Sequence, residues 1–546
     1  MEKEIVYPYR LIKTEGRIEN AEALFQKRDF LQIGLNEPDC VIMYYGASII
    51  LDYGKEYCGG VRLLTYDTQG SCCVRIRFGE SVTECCSELG EKGASNDHSL
   101  RDFVVRLVKY SDMEFGQTGF RFVRIDFISG DLLRIKSIVA SSEKAETERR
   151  GNFICNDKLL NQIFETAAYT LELCQRNGVL WDGIKRDRLV WAGDLHAQML
   201  GTLSLYKAEA HVRNSLRFLR EQTALPAFMN NIPAYSLWWM VSLCDYYLYT
   251  GDENFLKENA SYFSSLIDLF DSSIDKDGNF CFPENTDRYF FDLDTYQTSY
   301  SQAGVYAVAQ YAFCKIEKIA EKIGFQRQRL IEIRKRLHRG FSDGGKAQII
   351  AMQMLGGNNS EEIVQRLGNL DAENVSAYMS YYIFSAMAEA GYKPQVLQII
   401  RRYFGTMLDL GATTFWEEFK MSWRESSIRI DELPKEGSKN AHADFGNYCF
   451  SGLRKSLCHG WSASPVAYFM KYVLGINIVK PGYAAVYISP NLCGLEWAKG
   501  SLPTPHGKIE ITIQNNNNKT AINMKAPKGI QVSVDDALKE GFLLEQ

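Results

Sequence analysis

Between Trp181 and Asp194 the chain packs three carboxylates (Asp182, Asp187 and Asp194), three cations (Lys185, Arg186 and Arg188) and two tryptophans into one short stretch. A solvated helix face can hold such charges, but it has little reason to include Trp181 and Trp191. A site for a polyhydroxylated ligand needs both kinds of residue. Carboxylates and guanidinium groups bond hydroxyls, while aromatic faces stack on the C–H faces of a sugar ring. The competing reading is a structural ion-pair cluster.

Other stretches repeat the combination of acid and aromatic. Trp238 and Trp239 are adjacent, so on a helix at most one faces a site while the other packs. Asp292 follows Tyr289-Phe-Phe, Glu417 follows Trp416 with Trp423 just beyond, and His459 stands two residues before Trp461. Glycosidic hydrolysis needs one acid to protonate the leaving oxygen and a second carboxylate to activate water or attack the anomeric carbon. Glu417, in a loop between helices, is a candidate for the second carboxylate. Each acid taken singly reads as a solvated surface charge; the joint pattern in several inter-helix loops does not.

The 546 residues are 46% hydrophobic and 24% charged, which indicates a globular, multidomain chain. A net charge of −5 without a Lys/Arg stripe argues against a nucleic-acid partner. No apolar run is long enough to span a membrane. The first residues lack a signal-peptide pattern, so a cytoplasmic protein is expected, with the 14 cysteines as free thiols. None of them has zinc spacing. Asp275-Lys-Asp-Gly278 lacks the distal Glu of a calcium loop and reads as a turn. No metal and no cofactor are expected.

Three textures follow one another along the chain. Residues 1–148 alternate apolar and charged positions, as in Val61–Tyr66, Cys73–Phe78 and Phe120–Phe127, which is the period of half-buried antiparallel strands. Residues 149–475 carry helical spacing, starting with Leu159, Leu160, Ile163, Phe164, Ala167 and Ala168. It recurs near 194–206, 208–223, 234–250, 253–274, 298–322, 325–340, 359–369, 375–390, 392–408, 441–454 and 462–474. About twelve helices without a sequence repeat fit an (α/α)6 toroid of six hairpins whose loops gather a site at one end. Residues 476–546 return to strands, with Asn515–Asn518 as a hairpin turn. The expected architecture is mainly α, multidomain, with a six-hairpin toroid flanked by N-terminal and C-terminal antiparallel β-sandwich domains.

Residues 182–194 resemble the signature Asp-Cys-Pro-x-Arg-Glu-Arg-x-x-Trp-x-Gly-Asp of the bacterial α-L-rhamnosidases, glycoside hydrolase family 78. Asp182, Arg186, Arg188, Trp191, Gly193 and Asp194 match in register. Gly411-Ala-Thr-Thr-Phe-Trp-Glu417 resembles the family's Gly-x-Thr-Thr-x-Trp-Glu element, and His459 is similar to its late histidine. Pro481-Gly482 and Thr504-Pro-His-Gly507 resemble its C-terminal β domain, and Gly119–Arg124 the β domain before the toroid. Two departures stand out. Gly183-Ile184 replaces Cys-Pro, which should loosen the backbone. Asp187 stands where the family has its general-acid Glu, one methylene shorter.

The resemblance implies an inverting hydrolase that releases terminal α-L-rhamnose. Asp187 would be the general acid and Glu417 the base, with about 6.5–9.5 Å between them for the attacking water. Asp182, Asp194 and Asp292 would bond sugar hydroxyls, and Arg186 would bond a hydroxyl or hold an acid in place. Trp191, Trp416 and one of Trp238 and Trp239 would wall the pocket, with His459 as a neutral hydrogen-bonding partner. The expected partner is a rhamnoside, and a homodimer is left open. Two alternatives remain at this stage. One is a six-hairpin glycosidase for another sugar such as a uronic acid, using Arg186 and Arg188. The other is a non-catalytic carbohydrate-binding protein.

Overall fold

The computed structural model describes residues 2–546 except 293, 297, 339, 448, 449, 517 and 518. These residues form two compact units. The first comprises residues 1–146, 183–188 and 406–459; the second comprises 147–182, 189–405 and 460–546. The six residues 183–188, in the middle of the charged stretch, therefore cluster with the N-terminal segment.

The first unit is built on a nine-stranded antiparallel sheet whose central strand is Ser48–Gln69. That strand pairs with Ser111–Ser129 on one side and with Arg10–Glu15 and Leu132–Glu143 on the other, and irregularities near Asp52–Tyr57 and Gly59–Val61 bend it. Bulges of this kind let one long strand serve more than one set of partners. Val61, Leu63, Ile76, Phe78, Phe120, Ile125 and Ile138 fill its core. The expected alternation of Val61–Tyr66 is muted, because Leu64 is buried along with Val61, Leu63 and Thr65.

The second unit holds most of the helices. Twelve α-helices lie between Lys158 and Tyr468 among the described residues. Their ends follow local chemistry. Asp157 caps Lys158–Leu173 by accepting the N–H groups of Leu159 and Leu160, and Asp252 caps Glu253–Ser272 through Phe255. Pro233 opens Pro233–Thr250, and Gly251 closes it with a φ of 70°.

Two helix assignments from the sequence change. Residues 441–454 contain no α-helix among those described, only the short 3-10 turn Gly452–Arg454. Gly446 and Gly452 sit at φ 101° and 59°, conformations that interrupt a helix. Conversely, Ala347–Leu355 is a helix that periodicity missed, because its apolar residues continue around the whole circumference.

The C-terminal strands form a three-stranded and a five-stranded sheet. They are not wholly antiparallel as expected: Ala485–Ile488 runs parallel to Gln531–Val534, and Lys519–Lys525 parallel to Phe542–Glu545. The five-stranded sheet also recruits Asn152–Cys155, which pairs with Trp497–Thr504. The tip of the Asn515–Asn518 turn, Asn517 and Asn518, lies outside the described residues. No helix of the described residues is long and apolar enough to cross a membrane.

Candidate functional site

In the first unit, Arg186 links two of the candidate residues. One terminal nitrogen of its guanidinium donates to Glu417 Oε1 and the other lies 3.3 Å from Asp187 Oδ1. Its plane also stands over the Phe450 ring at 4.7 Å. Of the two roles that sequence left open for Arg186, the structure supports holding an acid.

The Glu417 carboxylate is fully buried and heavily anchored. Its Oε2 accepts the Ser456 N–H at 2.8 Å, while its own backbone N–H donates to the Ser456 carbonyl at 3.0 Å. The preceding residues explain this fixity. Gly411 takes a left-handed φ of 97°, and its carbonyl accepts from Arg121 at 3.0 Å. Thr413 accepts the Glu56 N–H at 3.0 Å, and Thr414 donates to the Leu457 carbonyl at 2.7 Å. Trp416 is wholly buried, edge-on to Phe419. The two threonines thus pin the segment to the central strand and to residues 456–459.

Behind Glu417 lies a buried charge network that sequence did not expose. The Lys185 ammonium stands 3.0 Å from Glu80, 3.3 Å from Glu84 and 3.1 Å from His442 Nε2, and donates to the Leu453 carbonyl at 2.9 Å. Glu80 in turn accepts the Leu457 N–H at 2.6 Å and the Ser456 hydroxyl at 3.2 Å. Glu84 pairs with Arg101, and Ser81 bonds His442 Nδ1 at 2.8 Å. Glu80, Glu84 and His442 have ligand atoms within 4.8 Å of one another, close enough for a metal ion, but the Lys185 ammonium stands among them as their cation. Burial pushes the Glu80 carboxyl up, and it pushes Glu56 well up with help from Glu80 and Glu84. Burial, then Lys185 and Lys455, holds His442 well below its usual range and therefore neutral. Burial lowers the Lys455 ammonium to about 8.

Asp187 is placed differently. A bond of 2.7 Å from the Arg188 N–H to the Arg186 carbonyl closes a three-residue turn around it, and its φ is 56°. Its backbone N–H donates to His98 Nδ1 at 2.9 Å. Arg188 follows at φ 57° and bonds the carbonyl and side chain of Gln117. Neighbouring His459 forms an antiparallel bridge with Gly183 and donates its N–H to the Phe415 carbonyl at 3.0 Å. A Cβ on Gly183 would stand 2.9 Å from the Cys458 carbonyl and 3.1 Å from His459 Nδ1. Glycine here permits a close approach, and the expected loosening is not what the packing requires of it.

The second unit gathers the remaining candidates into two groups. Asp182 closes the neck of the 183–188 loop: its Oδ1 accepts the Leu189 N–H at 2.8 Å, and its own N–H donates to the Leu189 carbonyl at 3.0 Å. Asp194 lies buried in the first turn of Ala192–Leu205, where the positive end of the helix suits a carboxylate. Gly193 beside it admits two rings, because a Cβ there would collide with Tyr235 and meet the Tyr378 hydroxyl at 2.8 Å. Tyr235 meets Trp191 edge-on, and Tyr378 stacks on Trp461 at 4.6 Å. Asp292, also buried, accepts from Gln348 at 3.0 Å and Ser376 at 2.8 Å. Burial, reinforced by Tyr235, Asp194 and Asp292, pushes the Tyr378 hydroxyl well up.

Trp238 and Trp239 separate as adjacency on a helix requires. Trp239 donates its indole N–H to the Leu216 carbonyl at 2.9 Å and packs on Tyr262 and Phe263. Trp238 packs against Tyr382 and His196. His196 bonds Tyr382 and Asp245, each at 2.8 Å, and Asp245 pairs with Lys315 at 2.6 Å. Burial raises the Asp245 carboxyl, but Lys315 and His196 prevail and hold it well below its usual range.

Residues 148–324 match the model of the bacterial α-L-rhamnosidase six-hairpin glycosidase domain, and residues 475–538 that of the bacterial α-L-rhamnosidase C-terminal domain. The chain is 21% identical, over 507 aligned positions, to an α-L-rhamnosidase of Alteromonas sp. (strain LOR), covering 85% of this chain and 53% of that protein. It thus spans about half the length of that curated relative. Its fold is similar to that of a GH78 family rhamnosidase of Bacillus sp. GL1, with a TM-score of 0.74 and 19% identity over 93% of this chain and 56% of that one. It is also similar to a rhamnosidase from Klebsiella oxytoca with rhamnose bound, with a TM-score of 0.65 and 20% identity over 86% and 95% of the two chains. Residues 148–324 and 475–538 thus match, in order, the two bacterial α-L-rhamnosidase domain models, and the chain shares the fold of a GH78 family rhamnosidase.

Proposed function

We propose that the chain is an inverting glycosidase that releases terminal α-L-rhamnose from rhamnosides. The observation that carries this reading is the pair of carboxylates joined through one guanidinium, Asp187–Arg186–Glu417. A guanidinium with a polar contact on either side is the scale of separation that leaves room for a water, about 6.5–9.5 Å in inverting enzymes. Asp187 donates its carboxyl proton to the glycosidic oxygen as the bond from that oxygen to the anomeric carbon breaks. Glu417 takes a proton from the water that attacks the opposite face of the sugar. One water is consumed, and the free sugar and an alcohol leave. A proton passing from Glu417 through solvent to Asp187 restores the starting state.

Arg186 and the Ser456 N–H orient the Glu417 carboxylate. His459 serves as a neutral hydrogen-bonding partner. In the second unit, Asp194 and Asp292 with Trp191, Trp238, Tyr235, Tyr378 and Trp461 have the composition to hold sugar hydroxyls and an apolar 6-deoxy methyl. The helices of 149–475 would form the (α/α)6 toroid of six hairpins. The uronic-acid alternative is less well served: Arg186 is engaged with Glu417 and Arg188 with Gln117, so neither arginine is held ready for a substrate carboxylate.

The test is a proton NMR time course on an aryl α-L-rhamnoside. Early appearance of β-L-rhamnose is expected, with the α anomer growing in later by mutarotation. Initial release of the α anomer overturns inversion. Turnover of another glycoside but not of the rhamnoside overturns the sugar assignment, and sugar binding without any turnover overturns the enzyme reading.

A further inference from the structure

We propose that His98, supplied by the N-terminal β-rich segment, is a positioning residue for Asp187, holding the strained turn that presents its carboxyl group for proton transfer. This rests on the reading of Asp187 as the general acid.

The turn around Asp187 is an expensive conformation. A three-residue turn with a positive φ at its centre is rare for any residue with a side chain, and such backbone costs on the order of 1–3 kcal/mol unless its surroundings hold it. The backbone N–H of Asp187 donates outward to the His98 ring at 2.9 Å. His98 is itself left-handed, at φ 66°. Two strained residues far apart in sequence thus meet through one hydrogen bond.

The platform under His98 is fixed. Asn96 Oδ1 accepts the N–H groups of Arg101 at 2.9 Å and Asp102 at 3.0 Å, and its amide donates back to the Asp102 carbonyl at 2.9 Å. Ser99 donates to Thr118 at 2.9 Å, and the Arg101 guanidinium is tied to Glu84 and to the Ser95 carbonyl. The loop is therefore bonded on both sides of His98, while the imidazole itself remains one-third exposed at its tip.

The hydrogen bond also fixes the chemistry of the ring. Because Nδ1 accepts the Asp187 N–H, a neutral ring carries its proton on Nε2. Nδ1 lies 3.5 Å from Asp187 Oδ1 as well, a separation that would suit an ion pair of charged imidazolium and carboxylate. The shorter, directed contact to the amide outranks it, since a contact near 3.5 Å is at the limit of hydrogen bonding. His98 acts on the backbone of Asp187, and through it on the direction of the side chain.

The test exploits the leaving group. A general acid matters for a basic leaving group and hardly at all for one that departs as a stable anion. Asp187→Asn, His98→Ala and His98→Asn are assayed on 4-methoxyphenyl and 2,4-dinitrophenyl α-L-rhamnosides, with circular dichroism as the check on folding. Asp187→Asn is expected to lose about 10²–10⁴ in kcat on the methoxyphenyl substrate and little on the dinitrophenyl one. His98→Ala should show the same split at roughly 10- to 100-fold, with KM nearly unchanged. His98→Asn, whose amide oxygen can accept the same N–H, should recover most of the loss. If His98→Ala is wild-type-like, or loses equally on both substrates, while Asp187→Asn keeps its split, the role of His98 is overturned and the acid assignment stands. If Asp187→Asn shows no split, or the wild-type chain turns over neither substrate, the acid assignment falls and this proposal falls with it.

Discussion

The two carboxylates that meet Arg186 are held in opposite ways. Glu417 is buried and bonded through both carboxylate oxygens, and its own N–H is taken by Ser456. Asp187 keeps 16% of its side chain exposed, and its backbone rests on a left-handed turn and a single imidazole. A group that activates a small water can be fixed once. The group proposed to hand a proton to the leaving oxygen keeps some exposure instead. On this view stability is concentrated at one carboxylate and strain at the other.

The harshest way to break the contrast is to remove each carboxylate. Glu417→Gln and Asp187→Asn should each lower kcat by about 10²–10⁴, but only Asp187→Asn should be relieved by an activated leaving group. Measuring both variants on both aryl rhamnosides separates them, and equal relief would erase the distinction.

Next in size is the anchoring itself. Glu80→Gln leaves the Lys185 ammonium short of one buried partner and the Leu457 N–H with a weaker acceptor. Removing one member of a buried pair costs about 3–5 kcal/mol, so the urea midpoint should fall markedly, whereas Glu80→Gln/Lys185→Met should fall less. His98→Ala, on the acid side, should cost less, about 0.5–1.5 kcal/mol, the net worth of one hydrogen bond. Gly183→Ala, whose added methyl has to displace the Cys458 carbonyl or the His459 ring, should cost about 1–3 kcal/mol. The same denaturation experiment reports it.

The smallest effect is a pH dependence. Lys455 falls from its ordinary 10.5 to about 8, chiefly by burial. Between pH 8 and 10.5 the unfolded chain binds the proton that the folded chain has released, so this group makes stability rise with pH, by at most about 1.4 kcal/mol per unit. Below pH 8 both states are charged and the contribution is flat. Urea midpoints of wild type and Lys455→Met compared across pH 7.5–10 should therefore converge or cross in favour of the wild type as pH rises. Parallel curves would remove Lys455 from the account.

What the sequence made legible follows the range of the interactions. Helix spacing and the caps Asp157, Asp252 and Gly251 are local, and the helices they bound appear where the pattern puts them. Ala347–Leu355 has no polar face to create a period, and 441–454 has apolar residues at helical intervals but glycines in left-handed conformations. Glu417 was singled out by its neighbours in sequence, Trp416 and the Gly411-Ala-Thr-Thr run. Glu80, Glu84, His98 and His442 were not. Each gains its meaning from Lys185 or Asp187, 89 or more residues away. Lys185 was counted only as one of three cations in the charged stretch, and it is buried.

The pairing of Asn152–Cys155 with Trp497–Thr504 sets the order in which the molecule can be completed as it is made. A strand synthesised before the helices that begin at Lys158 waits, one edge unsatisfied, until more than three hundred further residues have left the ribosome. Residues 1–146 face a similar delay, since segments 183–188 and 406–459 belong to the same compact unit. Closing such distant contacts is slow, and open strand edges meanwhile invite the wrong partners. A nascent chain halted after the last helix, Ser464–Tyr468, but before Trp497 would thus carry its helical region with a strand that still lacks its partner, making late arrest the point at which a chaperone is most needed.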